Sequence, residues 1–587
     1  MKAKMQTNVN LSQPSVRDLA RGRPGGHRTV QPGLFEYERP LRAASAAPSE
    51  KNGVVYTKPW VVDLILDLVG YTADKPLYER LVVEPSAGDG SFLLTIVDRL
   101  AQSCARGGCR LVDCRSAIVA YELDDASVLR ARSAVALRLV SHGLARGDAE
   151  LLADGWVRAG DYLMETSWLV GQADFVVGNP PYIRLEDLEN GGELYRAAYP
   201  TMVGRADIYV AFYEAALRHL KPGGACGFIC ADRWMFNQYG AELRGFVTGG
   251  FCVEAVIQMH HADAFEKEVS AYPAITVIRN ARQGSVVVAT LDPEAERVGA
   301  AALAAEFAQS EIGKGRTNAA RVDRWFTGSA PWPLMEPERL ALLRRLEAEF
   351  PNLEGTGAMV GIGVATGADK VFITKDAELV EPERLLPLAM AFDVKGDAIN
   401  WSGHYLVNPW NGKGLVDLEA YPRLAAYFER HRSQLERRHV GKKAPANWYR
   451  TIDRVNDALT CRPKLYLPDF KGRIAPVLDA GKTYPHHNLY FIAADEWDLE
   501  VLGGLLLSDV AQFFIEAYGV RMRGGYLRFQ AQYLRRMRVP CASEISAGQR
   551  DRLRRAFATH DVATANEVAA EIYRLTQAER ELIGHSG

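Results

Sequence analysis

The densest chemistry in this chain is a run of four residues, Asn179-Pro180-Pro181-Tyr182. They follow the apolar stretch 174–178, which reads as a strand. Two prolines remove two N–H donors and fix the backbone, leaving carbonyl groups projecting at the strand end. Asn179 Oδ1 and the Pro180 carbonyl can both accept hydrogen bonds from one planar –NH₂ group. Two such acceptors draw the nitrogen toward tetrahedral geometry and localise its lone pair for attack. Tyr182 offers a face on which a planar ring can stack. A second run, Glu84-Pro85-Ser86-Ala87-Gly88-Asp89-Gly90, also follows an apolar strand and opens a helix. Its glycines permit a tight turn and close approach to a ligand, although the full dinucleotide glycine pattern is missing. An acid at the strand end suits a cationic ligand, and S-adenosylmethionine, with its ammonium and sulfonium, meets that requirement. Glu122, in Tyr121-Glu122-Leu123-Asp124, ends the next strand 38 residues later and suits a ribose hydroxyl pair. The usual separation is about 20 residues, so an insertion near 103–115 is implied. Asp161-Tyr162 could bond the exocyclic amine of an adenine and stack on its ring.

These residues need elements to hold them. Apolar β-rich runs at 81–85, 117–122, 174–180, 225–231, 252–258 and 274–280 alternate with helical segments such as 91–102 and 207–220. Such alternation predicts an α/β fold, a doubly wound, Rossmann-like parallel sheet, and the last two strands, close in sequence, suggest an antiparallel edge. Lys221-Pro222-Gly223-Gly224 is expected to stop the preceding helix. The chain divides into a flexible N-terminal tail over 1–50, a catalytic domain over 51–285, an Ala-rich connection over 286–330, a mixed α+β domain over 331–540 and C-terminal helices over 541–587. At 587 residues with 48% apolar and 24% charged residues, the chain is globular and exceeds one core. No apolar run reaches the roughly 18 residues that cross a bilayer, no secretory h-region opens the sequence, and no membrane association is expected. Eight cysteines read as reduced thiols of a cytoplasmic protein. Cys104, Cys109 and Cys114 lack familiar metal-ligand spacing, and no metal is expected.

The net charge of −2 says little about a polyanionic partner, because the basic residues are clustered. Eight Lys and Arg lie in 423–450, among them Arg437, Arg438, Lys442 and Lys443, with Trp448-Tyr449 interleaved. Six arginines and no acid lie in 519–538, including Arg521 and Arg523. Basic residues with aromatics suit phosphate contact and base stacking. His486-His487 has no acid or thiol at ligand spacing and reads as loop or strand. Pro468-Asp469 is not followed by a nearby acid and lysine in nuclease spacing, so no nuclease is expected.

In order, Tyr56-Thr57-Lys58-Pro59, Glu84–Gly90, Tyr121–Asp124, Gly160–Leu163, Asn179–Tyr182 and 204–224 make the region 55–280 resemble the gamma-class DNA amino-methyltransferases, in particular the two-domain adenine-N6 type of restriction–modification systems. Segments 361–373 and 462–492 resemble the C-terminal target-recognition domains of the same family. The resemblance implies S-adenosylmethionine as cofactor, with Thr57, Glu84, Ser86 and Gly88 at its methionine end. Glu122 would hold the ribose, Leu123 would lie against the adenine, and Asp161 and Tyr162 would bind that base. Asn179 adjoins this site, and with Pro180 and Tyr182 it would hold a flipped-out target adenine, whose second face would be covered by Phe265, with Phe251 and Tyr272 as alternatives. Double-stranded DNA is the implied partner, a cognate restriction endonuclease or defence-system protein a further one, and a monomer suffices. Competing readings are methylation of cytosine N4, where Ser more often replaces Asn179, of RNA or of a protein glutamine, and a non-catalytic DNA-binding subunit.

Overall fold

The computed structural model describes residues 56–584 apart from 89, 189–190, 261, 267–271, 310–317, 324–327, 397 and 520–526. Its centre is a nine-stranded sheet of β1 (Val82–Glu84), β2 (Ile118–Glu122), β3 (Val157–Ala159), β4 (Ala173–Gly178), β5 (Leu220–Ala231), β6 (Cys252–Gln258), β7 (Pro273–Arg279), β8 (Ser285–Thr290) and β9 (Asn318–Asp323), in the order 3-2-1-4-5-7-6-8-9. The strands from β3 through β5 are mutually parallel. They are buried and rich in Val, Ile and Ala, as a sheet covered on both faces must be. Helices Pro59–Val69 and Ser91–Gly107 belong to the apolar cluster of one face, and Tyr209–His219 to that of the other. Strand order reverses between β1 and β4, and a doubly wound sheet opens its ligand crevice at the carboxyl ends of such strands. The turns after β1 and β4 carry Glu84–Gly90 and Asn179–Tyr182.

Several elements differ from the sequence expectation. β7 is antiparallel, but it lies inside the sheet between β5 and β6 rather than at an edge. Lys221–Gly224 sits within β5, the helix having already ended at His219. β3 has only three residues, too few to show a period. The segment 286–330 is more than a connection, because β8 and β9 extend the sheet, with β8 parallel to β6. The C-terminal helices number three among the described residues, Ala547–Thr559, Val562–Ile572 and Gln577–Gly584.

Beyond helix Pro337–Glu349 the chain forms two four-stranded sheets. One orders Ala358–Ile362, Leu489–Ala494, Lys464–Pro468 and Val477–Asp479, all antiparallel. The other orders Ile373–Thr374, Tyr405–Val407, Leu385–Ala389 and Tyr484–Pro485. The C-terminal half is docked, not tethered. Trp332 lies edge-on to Trp234 at 4.9 Å, its backbone N–H reaches Met235 O at 2.8 Å, and the buried Arg244 donates to Trp234 O, Asn237 O and Ser329 O. One apolar cluster runs from Val83 in β1 through Leu343 to Ile583.

Candidate active site

The turn after β1 is built by glycine. Gly88 (φ 55°) and Gly90 (φ 95°) take left-handed backbone that other residues rarely adopt, and Gly90 caps the helix Ser91–Gly107. The turn is tied to β2, since Ala87 N–H donates to Tyr121 O and Gly88 N–H to Glu122 Oε2 at 2.8 Å each. Glu122 Oε1 accepts from the N–H groups of Leu123 and Asp124, both at 2.9 Å. Burial raises the Glu122 carboxyl above its ordinary range, and these three N–H bonds work against that shift. A carboxylate has about four acceptor positions, so these three bonds leave about one unused. Glu84 ends β1 with its carboxylate buried, 2% exposed. A buried acid beside a glycine turn is the donor set a small cationic ligand requires.

The turn after β4 is joined to this one. Ser86 Oγ donates to Asn179 O at 3.1 Å, and Asn179 Nδ2 donates to Thr57 Oγ1 at 3.2 Å. Because Nδ2 is committed to Thr57, Asn179 Oδ1 faces as an acceptor. Thr57 forms a β-bridge with Phe265, flanked by Lys58 N–H to Ala264 O and Glu266 N–H to Tyr56 O. Thr57, Ser86, Asn179 and Phe265, up to 208 residues apart in sequence, thus form one connected constellation. Pro180 is buried and Tyr182 half-buried, its ring 6.5 Å from Tyr209. The Tyr182 hydroxyl is buried with no hydrogen-bond partner among the described residues, and burial pushes it well above the ordinary phenol range. Of the alternative aromatics, Phe251 packs on Phe246 at 5.3 Å and Tyr272 lies edge-on to His260 at 4.9 Å. Leu123 is partly exposed at the rim.

Tyr162 departs from expectation, whereas Asp161 stays partly exposed with acceptor positions left on its carboxylate. Asp161 Oδ1 caps the helix Tyr162–Glu165 through Leu163 N–H, and Oδ2 accepts from Tyr195 Oη at 2.7 Å. Tyr162 is 2% exposed, stacked on Phe212 at 5.6 Å and bonded to His219 Nδ1 at 2.8 Å. It is a core residue and offers no face to a cofactor. The ring is claimed by the buried apolar cluster that also holds Phe212.

The basic residues sort into two kinds. Arg437, Lys442 and Lys443 are exposed and form no ion pair among the described residues. Arg438 instead donates to Thr366 O, Leu435 O, Trp448 O and Arg450 O, over the Phe372 ring at 5.2 Å. Trp448 is 7% exposed beneath Arg432. Both are internal braces rather than a DNA surface, because backbone carbonyls and an apolar cluster claim them first. Arg521 and Arg523 lie outside the described residues.

Folding also assembles groups that spacing did not reveal. Asp232, one residue past β5, is hydrogen-bonded to His260 at 2.7 Å beside Tyr272. Sequence reasoning missed this pair, since its members lie 28 residues apart with no motif between them. The Cys104 and Cys109 sulfurs lie 3.4 and 4.0 Å from that of Cys114. Asp369 approaches His486 and His487, supplying the acid that spacing alone did not show.

Comparison with known proteins gives these geometries their class. Residues 159–265, which span the Asn179–Tyr182 turn and Phe265, match the family of Eco57I restriction-modification methylases. The protein is a methyltransferase. Over 560 residues it is 44% identical to the type II methyltransferase M.PaeR7I of Pseudomonas aeruginosa, covering 93% of this chain and 97% of that one. It is 43% identical to M.XhoI of Xanthomonas vasicola, covering 91% and 99%. The chain belongs to the type II methyltransferases of restriction–modification systems. The fold is shared with the type IIL restriction-modification enzyme MmeI, solved in complex with DNA, at a TM-score of 0.56, 10% identity and coverage of 90% and 76%.

Proposed function

We infer that this chain methylates the N6 amino group of a specific adenine in duplex DNA. The observation that carries the reading is the constellation Thr57–Asn179–Ser86 at the carboxyl ends of β1 and β4, with the Asn179 amide oriented by Thr57. S-adenosylmethionine, when bound, supplies an electrophilic methyl group. The buried Glu84 and the turn through Ser86 and Gly88 suit its cationic end, and Glu122 suits its ribose.

This chain's own work is binding, orientation and charge. An adenine inside a duplex is stacked and paired, so it is drawn out at a cost of a few kcal/mol. Stacking on Tyr182 offsets about 1–3 kcal/mol per stacked base, while Phe265, 7% exposed and packed in an apolar cluster, braces Thr57 rather than offering a second face. Asn179 Oδ1 and the Pro180 carbonyl accept the two amino hydrogens and point the nitrogen lone pair away from the ring. Both acceptors hold the positive charge that develops on nitrogen until a proton leaves, so no strong base is needed. Asn rather than Ser at position 179 favours adenine over cytosine. The exposed Arg437, Lys442 and Lys443 suit phosphates of the bound duplex.

Nucleoside analysis of DNA from a methylation-free host expressing the chain tests the reading. N6-methyladenine is expected, and it should vanish with Asn179→Ala, where losing one charge-stabilising group costs about 10²–10³-fold in rate. N4-methylcytosine in its place would overturn the base assignment.

A further inference from the structure

We propose that Asp369, His486 and His487 form a binding site for one divalent transition-metal ion of the zinc type, clamping two loops of the C-terminal half. Their candidate ligand atoms all lie within 4.8 Å of one another. His486 Nε2 stands 3.4 Å from Asp369 Oδ2. That is long for a charge-assisted hydrogen bond, which runs about 2.7–2.9 Å. It is the separation of two ligands on one tetrahedral ion, because bonds of about 2.1 Å place neighbouring donor atoms about 3.4 Å apart.

Burial points the same way. His486 is 2% exposed, and its ring nitrogens and His487 Nδ1 are buried without a hydrogen-bond partner among the described residues. Buried imidazole nitrogens are ordinarily satisfied, and leaving one without a partner is costly. An ion held by His486 Nε2 and His487 Nδ1 would satisfy one nitrogen of each ring.

The surroundings are those of a supported site. Thr366 Oγ1 donates to Asp369 Oδ1 and so fixes the carboxylate, leaving Oδ2 toward the histidines. His487 N–H donates to Val364 O, Val364 N–H to Pro485 O and His486 N–H to Ala389 O, so both loops are already in register. Gly363 packs so closely that an added Cβ would meet His486 O at 2.1 Å. Asp369 is exposed, which gives the ion a way in. Two nitrogens and one oxygen suit zinc and its neighbours better than calcium or magnesium. The site is separate from the methyl-transfer residues and adds an ion requirement to the C-terminal half.

The test uses the full chain, stripped by dialysis against a chelator and titrated with cobalt(II) chloride under absorption. About one equivalent is expected to bind, with ligand-field bands and no thiolate charge-transfer band. Asp369→Asn, which keeps the bond from Thr366, and His487→Ala should each weaken uptake at least tenfold. Zinc chloride should raise the wild-type Tm by a few °C and leave the Asp369→Asn Tm unchanged. No uptake by the folded wild-type chain overturns the proposal. So does a thiolate band that survives Asp369→Asn and disappears with Cys109→Ser, which would place the ion on the cysteine cluster.

Discussion

Tyr182 and His219 show how burial sets what a side chain can do. The Tyr182 ring is the face for a flipped base, while its hydroxyl is buried without a partner among the described residues. Tyr182→Phe is therefore expected to keep full activity and to match or exceed wild-type stability. Tyr182→Ala should raise KM for duplex DNA by the loss of stacking, about 1–3 kcal/mol. Steady-state kinetics on a hemimethylated duplex separate the two, and a Tyr182→Phe enzyme as weak as Tyr182→Ala would show that the hydroxyl acts. His219 lies in the core, where burial pushes its pKa from 6.5 down to about 4. The unfolded chain then binds the extra proton first as pH falls. Stability from the neutral ring is complete above about pH 6.5 and is lost toward pH 4, by up to about 3 kcal/mol. Urea midpoints at pH 7.5 and 5 should converge in His219→Gln relative to wild type.

At the scale of elements, legibility followed periodicity and length. The strands β1, β2, β4, β5, β6 and β7 were readable because each is a continuous apolar run. The turns after β1 and β4 were readable because Gly88, Gly90 and the two prolines dictate backbone. β3 was not readable, since three residues carry no period, and neither was the place of β7, because pairing between β5 and β6 is a long-range choice that local sequence does not encode. Charge was legible as composition but not as role. Arg438 and Lys442 are four residues apart, yet one feeds four backbone carbonyls and the other faces solvent. Arg438→Ala should lower stability by about 2 kcal/mol or more, as bonds to a charged group are lost, without changing the salt dependence of DNA binding. Lys442→Ala with Lys443→Ala should do the reverse, leaving Tm intact and reducing the slope of log K against log salt by about 1 for each phosphate no longer neutralised. Equal slopes for all three proteins would remove these lysines from the DNA surface.

Across the whole molecule, the two halves share an interior. Trp332, Trp234 and Arg244 fasten the chain where it leaves the nine-stranded sheet, and the apolar cluster continues from β1 to Ile583. Trp332→Ala should cost about 3–5 kcal/mol and lower a single cooperative transition in calorimetry. Two resolved transitions, with only the later half affected, would mean that the halves unfold separately. The same continuity sets terms for protein engineers. A chimera that borrows a new recognition half from a relative inherits that relative's side of a shared interior. Grafts cut near 330 are therefore expected to express as soluble protein only when Trp234, Arg244 and Trp332 travel together, and the exchangeable unit is the half plus its seat on the first half.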